Sequence, residues 1–229
     1  MLSLSIAGCC TDCFVAGDEV EHPPWFDGRV YLPLEVGNNW VYNINGADTN
    51  TFFVSVQDTV MWRSDTLFTI ASALDGPFRS PEFTRFNGEY RISSDTLYWT
   101  TLAILDTIKS QNVSPYLHLR ILNPLRVGDS LIFNYGTVYG HDPNWGTYRW
   151  KITRNDTSIT TPFGVFDSCL ALEYWFYYLM DDQEYLLAEE FYAPDTGLVH
   201  FVEHLYDMAP GDLGDSTVTY DLIQTQIFR

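Results

Sequence analysis

Leu170-Ala171-Leu172-Glu173-Tyr174-Trp175-Phe176-Tyr177-Tyr178-Leu179 shows the alternation from which the fold class follows. On an extended strand, successive side chains point to opposite faces, so Leu170, Leu172, Tyr174, Phe176 and Tyr178 share one plainly apolar face. A helix would scatter those five positions around its axis. The opposite face carries Ala171, Glu173, Trp175, Tyr177 and Leu179, and it is too aromatic to be ordinary solvent surface. Short alternating runs of the same kind fill most of the chain. Thr51 to Val60, Thr66 to Ser72, Tyr90 to Thr100, Tyr148 to Thr157, Cys169 to Leu179, Tyr185 to Tyr192, Gly197 to Tyr206 and Ser216 to Ile227 all read as strands. One short helix is expected over 101–112. Strands this closely spaced, without long crossover helices, imply antiparallel meanders. The expected fold is therefore all-β: a curved antiparallel sheet forming a half-barrel or open barrel, with a β-sandwich as the alternative.

The chain also repeats itself. Pro33-Leu34-Glu35-Val36-Gly37-Asn38-Asn39-Trp40-Val41-Tyr42-Asn43 returns as Pro124-Leu125-Arg126-Val127-Gly128-Asp129-Ser130-Leu131-Ile132-Phe133-Asn134, with five identical positions. Glu89-Tyr90 and Asp95-Thr96 are echoed in the same order by Glu190-Phe191 and Asp195-Thr196. The period is longer than the ~20–50 residues of stacked repeats, which points to two related halves, about 30–120 and 121–229, within one β domain spanning 29–229. Glycine in the first motif supplies the positive φ of a turn feeding a strand. Asp-Thr pairs at 58, 65, 95, 106, 156 and 195 read as hairpin corners, where the aspartate accepts from free turn amides.

The 30 acidic and 12 basic residues give a formal net charge of -18. Such a field repels phosphate backbones and argues against nucleic acid as a partner. Three of the four cysteines crowd at Cys9, Cys10 and Cys13, ahead of the first strand. The run Leu4-Ser5-Ile6-Ala7-Gly8-Cys9 resembles a bacterial lipobox, with small residues before a cysteine that carries the lipid. Residues 1–8 then read as a truncated signal-peptide remnant, because an export signal needs a basic start and about 7–15 apolar residues. Residues 9–28 read as a lipid-anchored tether, with Cys9 as the attachment residue. The expected location is the bacterial cell envelope, facing periplasm or exterior, with membrane contact through the lipid anchor alone. Cys10 and Cys13 form a C-x-x-C in a tether, away from the helix start where redox enzymes place it.

Taken together, Pro-Leu-x-x-Gly-x-x-Trp-x-Tyr at 33–42, Gly164-Val165-Phe166-Asp167-Ser168-Cys169 and Tyr192-Ala193-Pro194-Asp195-Thr196-Gly197-Leu198-Val199 resemble a group of bacterial envelope proteins and lipoproteins that carry these segments in this order. The resemblance covers roughly residues 30–227. It implies a curved antiparallel architecture like that of lipoprotein-carrier half-barrels, and it implies no reaction and no catalytic residue.

Chemistry-bearing candidates are few. His200-Phe201-Val202-Glu203-His204 fits the H-x-x-E-H pattern of zinc peptidases, which need it on a helix. On a strand the two histidines stand ~13 Å apart with Glu203 on the other face, so they cannot share an ion. Asp207, Asp212 and Asp215 gather on a glycine-containing loop and make a weak calcium candidate. No serine sits in a nucleophile elbow, and Cys169 reads as a small apolar core residue. No cofactor and no catalytic residue is expected. Trp145, Trp150, Trp175 and Tyr177 are the candidate ligand-binding aromatics, since such rings stack on ligands while keeping a wet polar tip. The sequence thus points to a non-catalytic envelope lipoprotein, a module for an unspecified envelope ligand or protein partner. A secreted hydrolase of glycosidase or esterase type, or a scaffold docking by a sheet edge, are the alternatives.

Overall fold

The computed structural model describes residues 27–62, 65–75, 88–93, 96–100, 118–122, 125–134, 146–179, 182–205 and 216–228. A 3-10 turn, Gly28–Tyr31, leads into twelve strands: β1 (Asn39–Ile44), β2 (Ala47–Trp62), β3 (Asp65–Asp75), β4 (Gly88–Ser93), β5 (Thr96–Thr100), β6 (His118–Leu122), β7 (Ser130–Asn134), β8 (Gly146–Thr161), β9 (Gly164–Tyr178), β10 (Gln183–Ala193), β11 (Gly197–Leu205) and β12 (Ser216–Gln226). They form one open, curved, antiparallel sheet in the order β6-β5-β4-β3-β2-β1-β12-β11-β10-β9-β8-β7. The expected all-β curved sheet is what the chain adopts. It is one open sheet, not closed into a barrel, and it curls far enough that the Phe163 amide at the β8–β9 turn reaches the Leu222 carbonyl of β12. The short helix expected over 101–112 lies outside the described residues.

Strands β1 to β6 form one meander and β7 to β12 another, and the two meet where β1 pairs with β12. The turns that start the two meanders share a hydrogen-bond pattern. Gly37 has φ +97° and donates to the Val56 carbonyl at 2.9 Å; Gly128 has φ +96° and donates to the Ile152 carbonyl at 2.9 Å. One residue on, the amides of Asn38 and Asp129 each bond back three residues, to Glu35 and Arg126, at 3.0 Å. Val56 and Ile152 return the contact by donating to the carbonyls of Asn38 and Asp129, both at 2.9 Å.

The core lies on one face of the sheet. Trp40, Tyr42 and Ile44 of β1 pack there with Phe52, Val54 and Val56 of β2, Trp150 and Ile152 of β8, and Leu170 and Leu172 of β9. Phe201 of β11 and Tyr220 of β12 close the layer, their rings 5.2 Å apart. All five alternate positions of the opening stretch behave as read, with Leu170, Leu172, Tyr174 and Phe176 buried and Tyr178 half-buried. Tyr31 and Leu34 cover one end: the Tyr31 hydroxyl donates to the Ser168 carbonyl at 3.2 Å, and the Asp195 amide donates to the Val30 carbonyl at 2.6 Å.

Several boundaries differ from the sequence reading. The run Tyr90 to Thr100 is two paired strands, β4 and β5, with Ile92 opposite Leu97. β8 and β9 run together further than expected, out to Thr161 opposite Gly164, because Thr, Ile, Val and Phe continue the strand pattern past Thr157. Asp58-Thr59 and Asp156-Thr157 are not corners. Each lies inside a long strand at a register irregularity, between Val56 and Asp58 in β2 and between Arg154 and Thr157 in β8. At a bulge one amide loses its cross-strand acceptor, and Asp58 Oδ1 supplies one by accepting from the Thr59 amide at 2.7 Å. Asp195, with φ +58°, does sit in the turn between β10 and β11.

The Gly128 turn makes a testable demand. Nothing lies within 4 Å of a Cβ added at Gly128, so the φ alone opposes a side chain. Gly128→Ala should lower stability by about 1–3 kcal/mol in urea unfolding. Gly164→Ala, also with open space but without positive φ, should not lower it.

Candidate functional site

Because one sheet face is core, the site question becomes which polar and aromatic groups the other face presents and which are sealed inside. Register settles this. On β9, Trp175 stands opposite Arg149 of β8 and Leu186 of β10, and Tyr177 stands opposite Thr147 and Glu184. Both aromatics are half-buried on the outward face. The Trp175 indole N–H donates to Glu173 Oε2 at 3.0 Å, the Tyr177 hydroxyl donates to Asp182 Oδ1, and the Arg149 guanidinium lies 5.9 Å from the Trp175 ring centroid. Arg149 also reaches Glu184 Oε1 at 2.7 Å, so an ion pair bridges β8 and β10 across β9 beside both rings. Exposed as it is, that pair adds little stability, but it fixes where the guanidinium sits. The result is an aromatic shelf with hydrogen-bonding groups of both signs along it.

Trp150 is not part of this shelf. It is 1% exposed and stands opposite Tyr174 on the core face, so it packs while Trp175 and Tyr177 face outward. Trp145, Cys9 and the aspartates Asp207, Asp212 and Asp215 lie outside the described residues.

The histidines of β11 are held singly. His200 Nδ1 meets Asp221 Oδ1 at 2.7 Å, and His204 Nε2 meets Glu189 Oε1 at 3.0 Å. His200 stands opposite Asp221 of β12 and packs against Phe191, ring centroids 5.4 Å apart. Glu203 points to the core, 3% exposed. The strand thus divides the H-x-x-E-H residues between two faces, as extended geometry requires.

Sequence reading did not single out a second glutamate on the core face. Glu190 is fully buried and accepts from the Tyr192 hydroxyl at 2.7 Å; Glu203 accepts from the Tyr220 hydroxyl at 3.4 Å. Glu190 stands opposite Phe201 and Glu203 opposite Ala188, so the two carboxyls occupy diagonal positions on neighbouring strands. Tyrosine donors offset part of the cost of removing these groups from water. The signal existed in Glu189-Glu190, since adjacent residues on a strand face opposite ways and one of two must turn inward.

Buried groups also set the alkaline behaviour. Burial pushes the Cys169 thiol up to about 11, with the Ile159 backbone opposing the rise and Asp167 adding to it. Burial likewise raises Tyr220, reinforced by the charge and hydrogen bond of Glu203, and raises Tyr31. Cys169 Sγ packs 3.5 Å from the Phe166 carbonyl and is fully buried, as a small core residue.

No family model matches the chain, and no curated protein matches it. Among solved structures it is similar to a protein from Bacteroides fragilis described in provisional terms as exported, with a YmcC-like fold: 14% identity, 89% of this chain and 99% of that one, TM-score 0.43. It is also similar to a protein from Parabacteroides distasonis provisionally described as a lipoprotein, at 14% identity over 86% of this chain and 98% of that one, TM-score 0.41.

The raised groups keep their protons when folded and release them earlier when unfolded. Their contribution is therefore complete below the ordinary values, 9.0 for the thiol and 10.0 for the phenols, and is lost as pH climbs through the folded values. Urea midpoints should fall from about pH 9 upward, and Cys169→Ala should remove the fall between pH 9 and 10 while leaving the loss that the tyrosines add above pH 10. An unchanged slope in that variant would show that the thiol does not titrate as described.

Proposed function

We propose that this chain is a non-catalytic lipoprotein of the bacterial cell envelope, anchored through Cys9, which binds a saccharide on the outward face of β8–β10. The observation that carries this reading is the pairing of Trp175 and Tyr177 on one strand, with rings fixed by Glu173 and Asp182 and a guanidinium placed between them and Glu184. A sugar ring lays its C–H face on a flat aromatic surface and turns its hydroxyls to neighbouring donors and acceptors, and the shelf offers both. Fixed side chains lose little rotamer freedom on binding, which favours recognition by a preformed surface. The anchor rests on the Leu-Ser-Ile-Ala-Gly-Cys run at 4–9. The matching turns and meanders support descent from a duplicated half-domain, and only the second half carries the Trp-x-Tyr pair on its third strand.

A hydrolase reading would draw on carboxylates, and the pair in the core, Glu190 and Glu203, is closed to a soluble substrate by burial. A scaffold reading has one observation in its favour: β7 is an edge strand with Ile132 66% exposed, the kind of edge that strand addition uses.

Titration of the purified chain against envelope-derived oligosaccharides tests the binding reading. Trp175→Ala should weaken binding at least tenfold and Tyr177→Ala somewhat less, with Arg149→Ala intermediate, while Ile132→Ser leaves it unchanged. Turnover of a chromogenic glycoside or ester, abolished by a single Asp or Glu substitution, would replace this reading with the hydrolase.

A further inference from the structure

The β8–β9 hairpin ends in a tip that the aromatic shelf does not explain. From Thr157 to Phe166 the chain carries no charged residue, although its net charge is -18 and Asp156 and Asp167 flank the run. Within it Phe163 is 47% and Val165 67% exposed, and Pro162 beside them is also exposed. Exposed apolar side chains are common singly, but here two stand two residues apart at the head of one hairpin, in a stretch without any charge to hold it in water.

The tip is held stiffly. The Phe163 amide donates to the Leu222 carbonyl of β12 at 3.1 Å, the Thr161 hydroxyl donates to the Gly164 carbonyl at 3.4 Å, and the Phe163 and Phe166 rings stack at 6.1 Å with planes 7° apart. Phe166 packs against the core, so the exposed Phe163 is braced from behind. A pinned apolar tip loses little conformational freedom when it meets another apolar phase.

What it meets follows from where the N-terminal segment joins the fold. The 3-10 turn at Gly28–Tyr31 is bonded to β9 through Tyr31 and Ser168, five residues from Phe163, and Val30 in that turn is itself 41% exposed. Gly28, where the tether of the anchored reading ends, thus lies at the end of the sheet that carries the hairpin tip. Eighteen residues reach ~60 Å at most when extended, so a lipid on Cys9 keeps this end within reach of the bilayer.

We propose that Phe163 and Val165 insert into the interfacial layer of the membrane to which Cys9 is attached, which turns the hairpin end toward the lipid. This rests on the anchored reading above. The target is an uncharged phospholipid surface such as phosphatidylcholine or phosphatidylethanolamine, because the acidic chain is repelled by anionic headgroups. Two apolar side chains bind a membrane weakly by themselves, and the tether makes that weak contact effective by holding the tip nearby.

The test separates this contact from the anchor by removing the anchor. Full-length chain carrying Cys9→Ser, and hence unacylated, is floated with phosphatidylcholine vesicles at millimolar lipid. Partitioning should be measurable and insensitive to 0.5 M salt, and Phe163→Ser with Val165→Ser should lower it at least tenfold. In a second variant, Phe163→Trp, lipids brominated near the headgroup should quench the new indole more than lipids brominated at the chain end. Absence of partitioning, equal partitioning of the serine variant, or loss of a self-associated species in place of lipid binding would each overturn the proposal. An unmodified Cys9 in protein recovered from envelopes would refute the anchor and leave the vesicle result to be read independently.

Discussion

The pairing of β1 with β12 is the contact on which the sheet depends. It sets Asn39 opposite Gln226, Trp40 opposite Thr225 and Ile44 opposite Tyr220, joining the first and last strands and fusing two meanders into one surface. An asparagine clamps each end of the junction. Fully buried Asn38 donates its side-chain amide to the Pro33 carbonyl at 2.7 Å and accepts from the Phe228 amide at 2.6 Å. Asn45, in the left-handed region at φ 52°, donates its amide to the Thr219 carbonyl and accepts from the Thr219 amide through Oδ1, both at 2.8 Å. Without this junction each meander would expose an unpaired edge and half of the core.

From that junction the core follows. Trp40 and Tyr42 of β1 reach the β10–β11 turn and the start of β11, donating to the carbonyls of Thr196 at 2.5 Å and Leu198 at 2.9 Å, so β1 is tied through its side chains to a strand two places away. Gly197 is required where Trp40 crosses it: its φ is +94°, and a Cβ there would stand 3.1 Å from the indole nitrogen. The tyrosines that line the core also serve its two buried glutamates, which makes the interior polar at chosen points and leaves the outward face to carry the fixed aromatic pair.

Much of this was legible in the residues. Strict alternation in 170–178 implies the sheet and its core face, and a strand over 200–204 by itself separates Glu203 from the two histidines. Three things were not legible, for physical reasons. Alternation says that Trp150 and Trp175 each choose a face but not that they choose different ones, because that depends on cross-strand register. Asp-Thr serves a bulge as well as a corner, since both present an amide lacking an acceptor, so Asp58 and Asp156 looked like Asp195. Strand order is a long-range property, and nothing local marks β12 as the partner of β1.

Residue-resolved native-state hydrogen exchange shows whether β1 and β12 open together. Amides of Tyr42, Ile44, Tyr220 and Leu222 should exchange only through global unfolding, with protection equal to that of the β9–β10 pair, whereas edge strands β6 and β7 exchange sooner. If the amides of β1 exchanged early and independently of β12, the two meanders would be separate units and the account of one continuous sheet would be wrong.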